Sequence, residues 1–104
     1  MKEIIGNLNK QFESRIRLGI MSVLMVNESV DFTTLKDLLD TSDGNLASHL
    51  SSLERGELIT VQKQFVGRKP NTSYQITLSG RTAFQEHVEN LAKLIKQQNK
   101  KETG

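Results

Sequence analysis

The spacing of apolar residues changes period at Leu58, and that change limits what this chain can fold into. Before it, Ile16, Ile20, Val23 and Leu24 recur at three- and four-residue intervals, as do Leu46, Leu50 and Leu53, the period of helices that bury one face. From Leu58 the residues alternate instead. Ile59, Val61 and Phe65 fall on one side of a strand, and Thr60, Gln62 and Gln64 on the other. Gly67 and Pro70 bracket a turn, and Tyr74, Ile76 and Leu78 alternate on a returning strand. Phe84, Val88, Leu91 and Ile95 then resume helical spacing. A single hairpin inserted between helices is predicted.

Local signals divide the helical part. Ile4, Ile5 and Leu8 suggest a short first helix ending near Lys10, and Ser14 is placed to cap a second helix that Asn27 closes. Val30-Asp31-Phe32 reads as a short extended stretch, and Thr34-Leu35-Lys36-Asp37 has the spacing of a capping box that opens a third helix. Ser42 caps a fourth, with Asp43 favourably placed against its dipole and Gly56 as its stop. Thr77 or Ser79 caps the last. The predicted fold is mainly α with a small antiparallel β-hairpin, in the order α-α-β-α-α-β-β-α. At 104 residues the chain has room for one domain. That domain is expected over residues 1–96, terminal helices included, with 97–104, which hold no apolar side chain, as a disordered tail.

Composition removes whole classes of function. With no cysteine, disulfide frameworks, zinc fingers and thiolate catalysis are excluded. The two histidines are too far apart in sequence for a histidine metal site, so neither metal nor cofactor is expected. No nucleophile–base pair stands at an interpretable spacing and no glycine loop cradles phosphate, so the chain does not read as an enzyme. The longest apolar stretch, Gly19 to Val26, is interrupted by Ser22 and is well short of the ~20 residues of a membrane span. The first twelve residues interleave charged and apolar side chains without a secretory hydrophobic region. A cytoplasmic protein with no membrane partner is expected.

A net charge of only +2 conceals a strong local bias. Residues 58–77 carry Lys63, Arg68 and Lys69 and no acid, whereas residues 42–57 set Arg55 against Asp43, Glu54 and Glu57. A cationic turn free of neighbouring carboxylates suits phosphate contact. On the helix from Ser42 to Arg55 the three leucines must face inward. The opposite side offers Gly44, Asn45, Ser48, Ser51 and Ser52, with His49 on a flank. Small hydroxyl and amide side chains let a helix lie close to base edges, where Asn can bond adenine bidentately and Ser can serve base or phosphate. The preceding short helix, joined by a tight turn, completes a helix-turn-helix pattern. Each part alone is compatible with an ordinary solvated surface; their succession is what points to nucleic acid.

In this order, Arg17-Leu18-Gly19-Ile20-Met21, Asp43-Gly44-Asn45-Leu46-Ala47-Ser48-His49-Leu50, Leu53-Glu54-Arg55-Gly56-Glu57-Leu58-Ile59, Gly67-Arg68-Lys69-Pro70-Asn71-Thr72 and Thr77-Leu78-Ser79-Gly80-Arg81 resemble a prokaryotic winged-helix DNA-binding domain of the MarR/ArsR type. The resemblance covers residues 14 to 78 and the entry into the last helix. It implies a recognition helix at 42–55, reading DNA through Ser42, Gly44, Asn45, Ser48, His49 and Ser52. It also implies a wing at 66–72 that, with its flanking strands, contacts DNA through Lys63, Arg68, Lys69 and Asn71, and a dimer built from terminal helices. The chain departs from many DNA readers in having a net negative recognition-helix region. Affinity would then rest on the wing cations and Lys36, with a log–log salt slope of roughly −5 for a dimer making three phosphate contacts per subunit.

The stripe of Phe84, Val88, Leu91 and Ile95, with Leu94 at its edge, either seals the domain's own core or packs on a second subunit; Ile4, Ile5 and Leu8 are placed to join it. His87 borders it and reads as an interface histidine, while His49 is either a DNA contact or an uncommitted surface residue. The expected function is a homodimeric, sequence-specific transcriptional regulator, a repressor, bound to a palindromic double-stranded operator with recognition helices ~34 Å apart. The alternative is a winged-helix module that docks proteins without touching DNA. The residues point to no particular small-molecule effector.

Overall fold

The computed structural model describes the backbone through Thr103 and side chains through Gln97; apart from Gln97, the tail expected over 97–104 lies outside the residues with described side chains. Helix α1 (Lys2–Gly6) is shorter than its apolar residues suggested. A separate 3-10 turn, Lys10–Phe12, follows it and buries Phe12, with Asn9 as its cap. Helix α2 (Arg15–Met25) starts at the predicted Ser14, whose hydroxyl accepts the Arg17 N–H. At its other end the Asn27 side chain donates to the Val23 carbonyl. Strand β1 (Val30–Asp31) leads directly into helix α3 (Phe32–Leu39).

The cap of α3 differs from the predicted one. Asp31, not Thr34, stands at the N-terminus, and its carboxylate accepts the Thr34 N–H at 2.8 Å. That bond holds the Asp31 pKa below the usual carboxylate value. The helix therefore begins two residues before the capping box.

Helix α4 (Asp43–Arg55) is capped as predicted by Ser42, which accepts the Asn45 N–H at 3.2 Å. Gly56 follows the helix with ordinary φ, and the left-handed residue that turns the chain toward the sheet is Glu57, at φ 62°.

Strands β2 (Ile59–Val66) and β3 (Lys69–Ile76) form the hairpin, and β1 joins its far side to give a three-stranded antiparallel sheet in the order β1-β3-β2. The pairing runs from Ile59↔Ile76 to Val66↔Lys69, which leaves only Gly67 and Arg68 in the turn. Gly67 sits at φ 66°, the first central position of a type II′ turn, where glycine carries no steric cost. Pro70 lies within β3 opposite Phe65. It is tolerated because β1 pairs only with Ser73 and Tyr74, so Pro70 needs no N–H on its other side.

Leu78, expected as the last strand residue, is instead the exposed first residue of helix α5 (Leu78–Thr103). Thr77 caps α5, accepting the Gly80 N–H at 2.8 Å while donating to the Glu57 carbonyl. The core gathers Ile16, Ile20, Met21 and Leu24 of α2, Leu35 of α3, the three leucines of α4, Ile59 and Tyr74 of the sheet, and Phe84 of α5. Helix α5 runs well past this core, and the molecule spans 63 × 26 × 21 Å.

Candidate nucleic-acid interface

Burial of Leu46, Leu50 and Leu53 fixes the rotation of α4, so its other faces are determined. Ser42, Gly44, Asn45 and Ser48 are exposed. The Asn45 amide donates to the Thr41 hydroxyl at 2.8 Å, which stiffens the start of the helix. The charge at this end is already balanced: Lys36 of α3 reaches Asp43 at 2.8 Å, and the carboxylate raises the lysine pKa. Lys36, expected to help hold DNA, therefore offsets the acid in the first turn of α4.

His49 and Ser52 sit differently from their neighbours. Both are half-buried and tied to the chain behind them. Arg17 Nε donates to His49 Nδ1 at 2.9 Å, Arg17 Nη1 donates to Gln11 Oε1 at 2.8 Å, and Ser52 Oγ donates to the same oxygen at 3.3 Å. Burial, reinforced by the adjacent guanidinium, lowers the His49 pKa from its ordinary value. Sequence reasoning missed Gln11 and Arg17 here, because their partners on α4 lie more than thirty residues away and no local pattern announces the contact.

The hairpin packs its inner end on α4 and projects its outer end. Lys63, Arg68 and Lys69 are all exposed, and Asn71 is half-buried beside them in register with Gln64. Apolar groups accompany the charge: Phe65 is 73 % exposed and Val66 is also open to solvent.

On α5 the predicted apolar stripe divides in two. Phe84 is 8 % exposed and meets the Phe12 ring edge-to-face at a centroid distance of 5.4 Å, so the chain's own core holds it. His87 lies next to it. It is buried against the same phenylalanine, with Nδ1 accepting the Asn9 N–H at 3.1 Å, and burial lowers its pKa. Farther along, Val88 and Leu91 are exposed, as are Ile95 at 60 % and Ile5 of α1 at 54 %, while Ile4, Leu8 and Leu94 are half-buried. Met1, Ile5, Leu91, Leu94 and Ile95 line an open cavity of about 420 Å³ between α1 and α5. Among the described residues no helix is long and apolar enough to cross a membrane.

Known proteins share this fold. A family model described as a winged helix DNA-binding domain matches residues 16–95. An uncharacterized protein of Methanocaldococcus jannaschii is 33 % identical over 87 residues, which cover 84 % of this chain and 95 % of that one. The solved structure of a transcriptional regulator homologue from Pyrococcus horikoshii superposes with a TM-score of 0.80 at 30 % identity, covering 91 % of this chain and 92 % of its own. A MarR-family transcriptional regulator from Silicibacter pomeroyi shares the fold, with a TM-score of 0.65 at 17 % identity over 88 % of this chain and 64 % of that one.

Proposed function

This chain belongs to the winged helix DNA-binding domain family, and from that premise we propose that it is a cytoplasmic, homodimeric repressor that occludes promoter DNA. In this reading α4 enters the major groove. Ser42, Gly44, Asn45, Ser48, His49 and Ser52 lie nearest the bases, and Lys63, Arg68, Lys69 and Asn71 of the hairpin hold the sugar-phosphate backbone or the minor groove. One observation carries it. The helix that seals the core with leucines exposes small hydroxyl and amide side chains, and it packs against a ribbon whose Lys63, Arg68 and Lys69 are all exposed, with no acid between residues 58 and 77. Small side chains permit close approach to base edges, while unpaired cations supply the sequence-independent grip.

Dimerisation is supported by the outer half of α5. Val88, Leu91 and Ile95 run past the core beside Ile5 of α1 and remain open to solvent in a single chain. A contiguous apolar face of this kind favours a partner surface. A twofold axis along it would pair two recognition helices and require a palindromic site.

The test is a gel shift of the purified protein against the DNA upstream of its own gene across a salt series. The expected log–log slope is roughly −5, falling to roughly −2 in an Arg68→Ala/Lys69→Ala variant, which removes four contacts per dimer. A flat salt profile, or a variant that binds like the wild type, overturns the reading and leaves protein docking as the alternative.

A further inference from the structure

Three elements converge behind α4: the 3-10 turn contributes Gln11, α2 contributes Arg17, and α4 itself contributes His49 and Ser52. The direction of each hydrogen bond follows from chemistry. A guanidinium has donors only, so His49 Nδ1, 2.9 Å from Arg17 Nε, must be the bare, accepting nitrogen. A neutral imidazole then carries its proton on Nε2. That second nitrogen has no hydrogen-bond partner among the described residues, and no buried side-chain nitrogen or oxygen among them lacks one; Nε2 is therefore open to solvent. Helical spacing sets Asn45, Ser48, His49 and Ser52 along one stripe of α4, so the solvent-open Nε2–H belongs to a residue of that stripe.

We propose that Arg17 is a positioning residue that locks His49 in the Nε2–H tautomer, so that α4 presents the duplex with a fixed, uncharged donor that selects an acceptor on a base edge. Guanine N7 and O6 are the foremost candidates in the major groove, and cytosine, which offers only a donor there, is refused. The inference rests on the DNA-binding reading above. A base edge is favoured over phosphate because the imidazole is held neutral, whereas phosphate binding gains from a cation. Gln11 completes the device by taking a second donor of Arg17 and the Ser52 hydroxyl on one oxygen, which fixes the guanidinium plane and the helix it steers.

Two measurements test the inference. A long-range ¹H–¹⁵N spectrum of the wild-type protein reads the tautomer without DNA. Protonated Nε2 and bare Nδ1 are expected at His49, with a tautomer mixture in Arg17→Met; a protonated Nδ1 in the wild type overturns the proposal.

Selection from a pool of randomised 30-bp duplexes then reads specificity. His49→Asn keeps an acceptor for Arg17 but lacks the outward donor, and His49→Gln carries an amide to the outward position. His49→Asn, folded as judged by its melting curve, is expected to lose the base preference at one position per half-site and about tenfold in affinity, with its salt slope unchanged. His49→Gln is expected to recover most of both.

A uniform loss across all sequences in His49→Asn would signify a phosphate contact and refute base selection. Wild-type binding with a His49→Asn variant that selects the same sites at the same affinity refutes this inference alone. A wild-type protein that binds no duplex removes the DNA-binding reading and the inference together.

Discussion

Replacing Gly80 by alanine tests whether α5 is seated on the sheet as described. A Cβ at Gly80 would lie 2.0 Å from the Leu58 carbonyl oxygen and 2.9 Å from its carbon, with Ile76 Cγ1 at 3.1 Å. The obstacle is backbone, and it is clamped: the Leu58 carbonyl accepts the Thr77 N–H at 3.1 Å. Thr77 also bonds the Glu57 carbonyl and the Gly80 N–H, each at 2.8 Å. Relieving the overlap moves the first turn of α5 by more than an ångström and breaks two or three of these bonds. At about 1 kcal/mol per bond, plus ~1–3 kcal/mol for overpacking, less ~1 kcal/mol of helix propensity gained by alanine, the net cost is about 3 kcal/mol. For a domain of this size that lowers Tm by roughly 12–24 °C.

Two sibling substitutions calibrate the result. Gly44→Ala meets nothing within 4 Å and should stabilise by about 0.5–1 kcal/mol through the unfolded chain. Gly19→Ala meets the Leu39 Cδ2 methyl at 2.4 Å, a side-chain end that can swing aside, so its clash and its helix propensity nearly cancel. Circular-dichroism melts at one protein concentration should rank Gly44→Ala above Gly19→Ala and both far above Gly80→Ala. A Gly80→Ala protein that melts with the wild type would refute the seating of α5 on Leu58.

Acidification should destabilise the fold through both histidines. Each accepts a hydrogen bond at Nδ1 and has its pKa lowered by burial. Their contribution is complete above the unfolded value near 6.5 and is lost as pH falls through the lowered folded values. Melting curves between pH 8 and pH 5 should be level at first and then decline, and a rise on acidification would contradict this. Leu91→Glu should give a folded monomer by light scattering, with DNA affinity reduced about a hundredfold or more by the loss of bivalent attachment. Phe84→Glu should instead unfold the chain, because that ring lies inside the core. Asp31→Ala should cost α3 about 1 kcal/mol as a lost cap, measured by urea denaturation, and Thr34→Ala much less.

The sequence displayed its long-period information well. The leucines of α4, the switch of period at Leu58 and the caps at Ser14 and Ser42 are all local patterns, and local patterns determined the element order. The differences arise where two local signals compete. Asp31 and Thr34 both qualify as caps, and pairing of Val30 and Asp31 with β3 ends the extended stretch early enough for Asp31 to win. Gly56 suits the left-handed turn by its residue type, yet the chain places that turn at Glu57, where the Glu57 carbonyl takes the Thr77 hydroxyl and the Leu58 carbonyl the Thr77 N–H. Leu78 continues the strand alternation, but Thr77 ends the strand by capping α5. Of the candidate site, the exposed polar face of α4 and the cationic turn were legible. The link from Arg17 to His49 was not, because it depends on how α2 crosses α4, which no spacing along either helix reveals.

The short reach of β1 has a mechanical consequence for the hairpin. Beyond Ser73 no third strand supports β3, so from Lys63 to the Gly67 turn the ribbon stands two strands wide. Such a segment opens at low free energy, and closing it around a duplex would exact an ordering entropy that helix α4, anchored to the core by its three leucines, does not incur. If the hairpin grips DNA as proposed, its grip strength is therefore adjustable without touching a charge. On that reading, stiffening the ribbon, through its turn residues or its cross-strand pairs, would lengthen residence on DNA, and loosening it would shorten that time without altering the sequence preference proposed for α4.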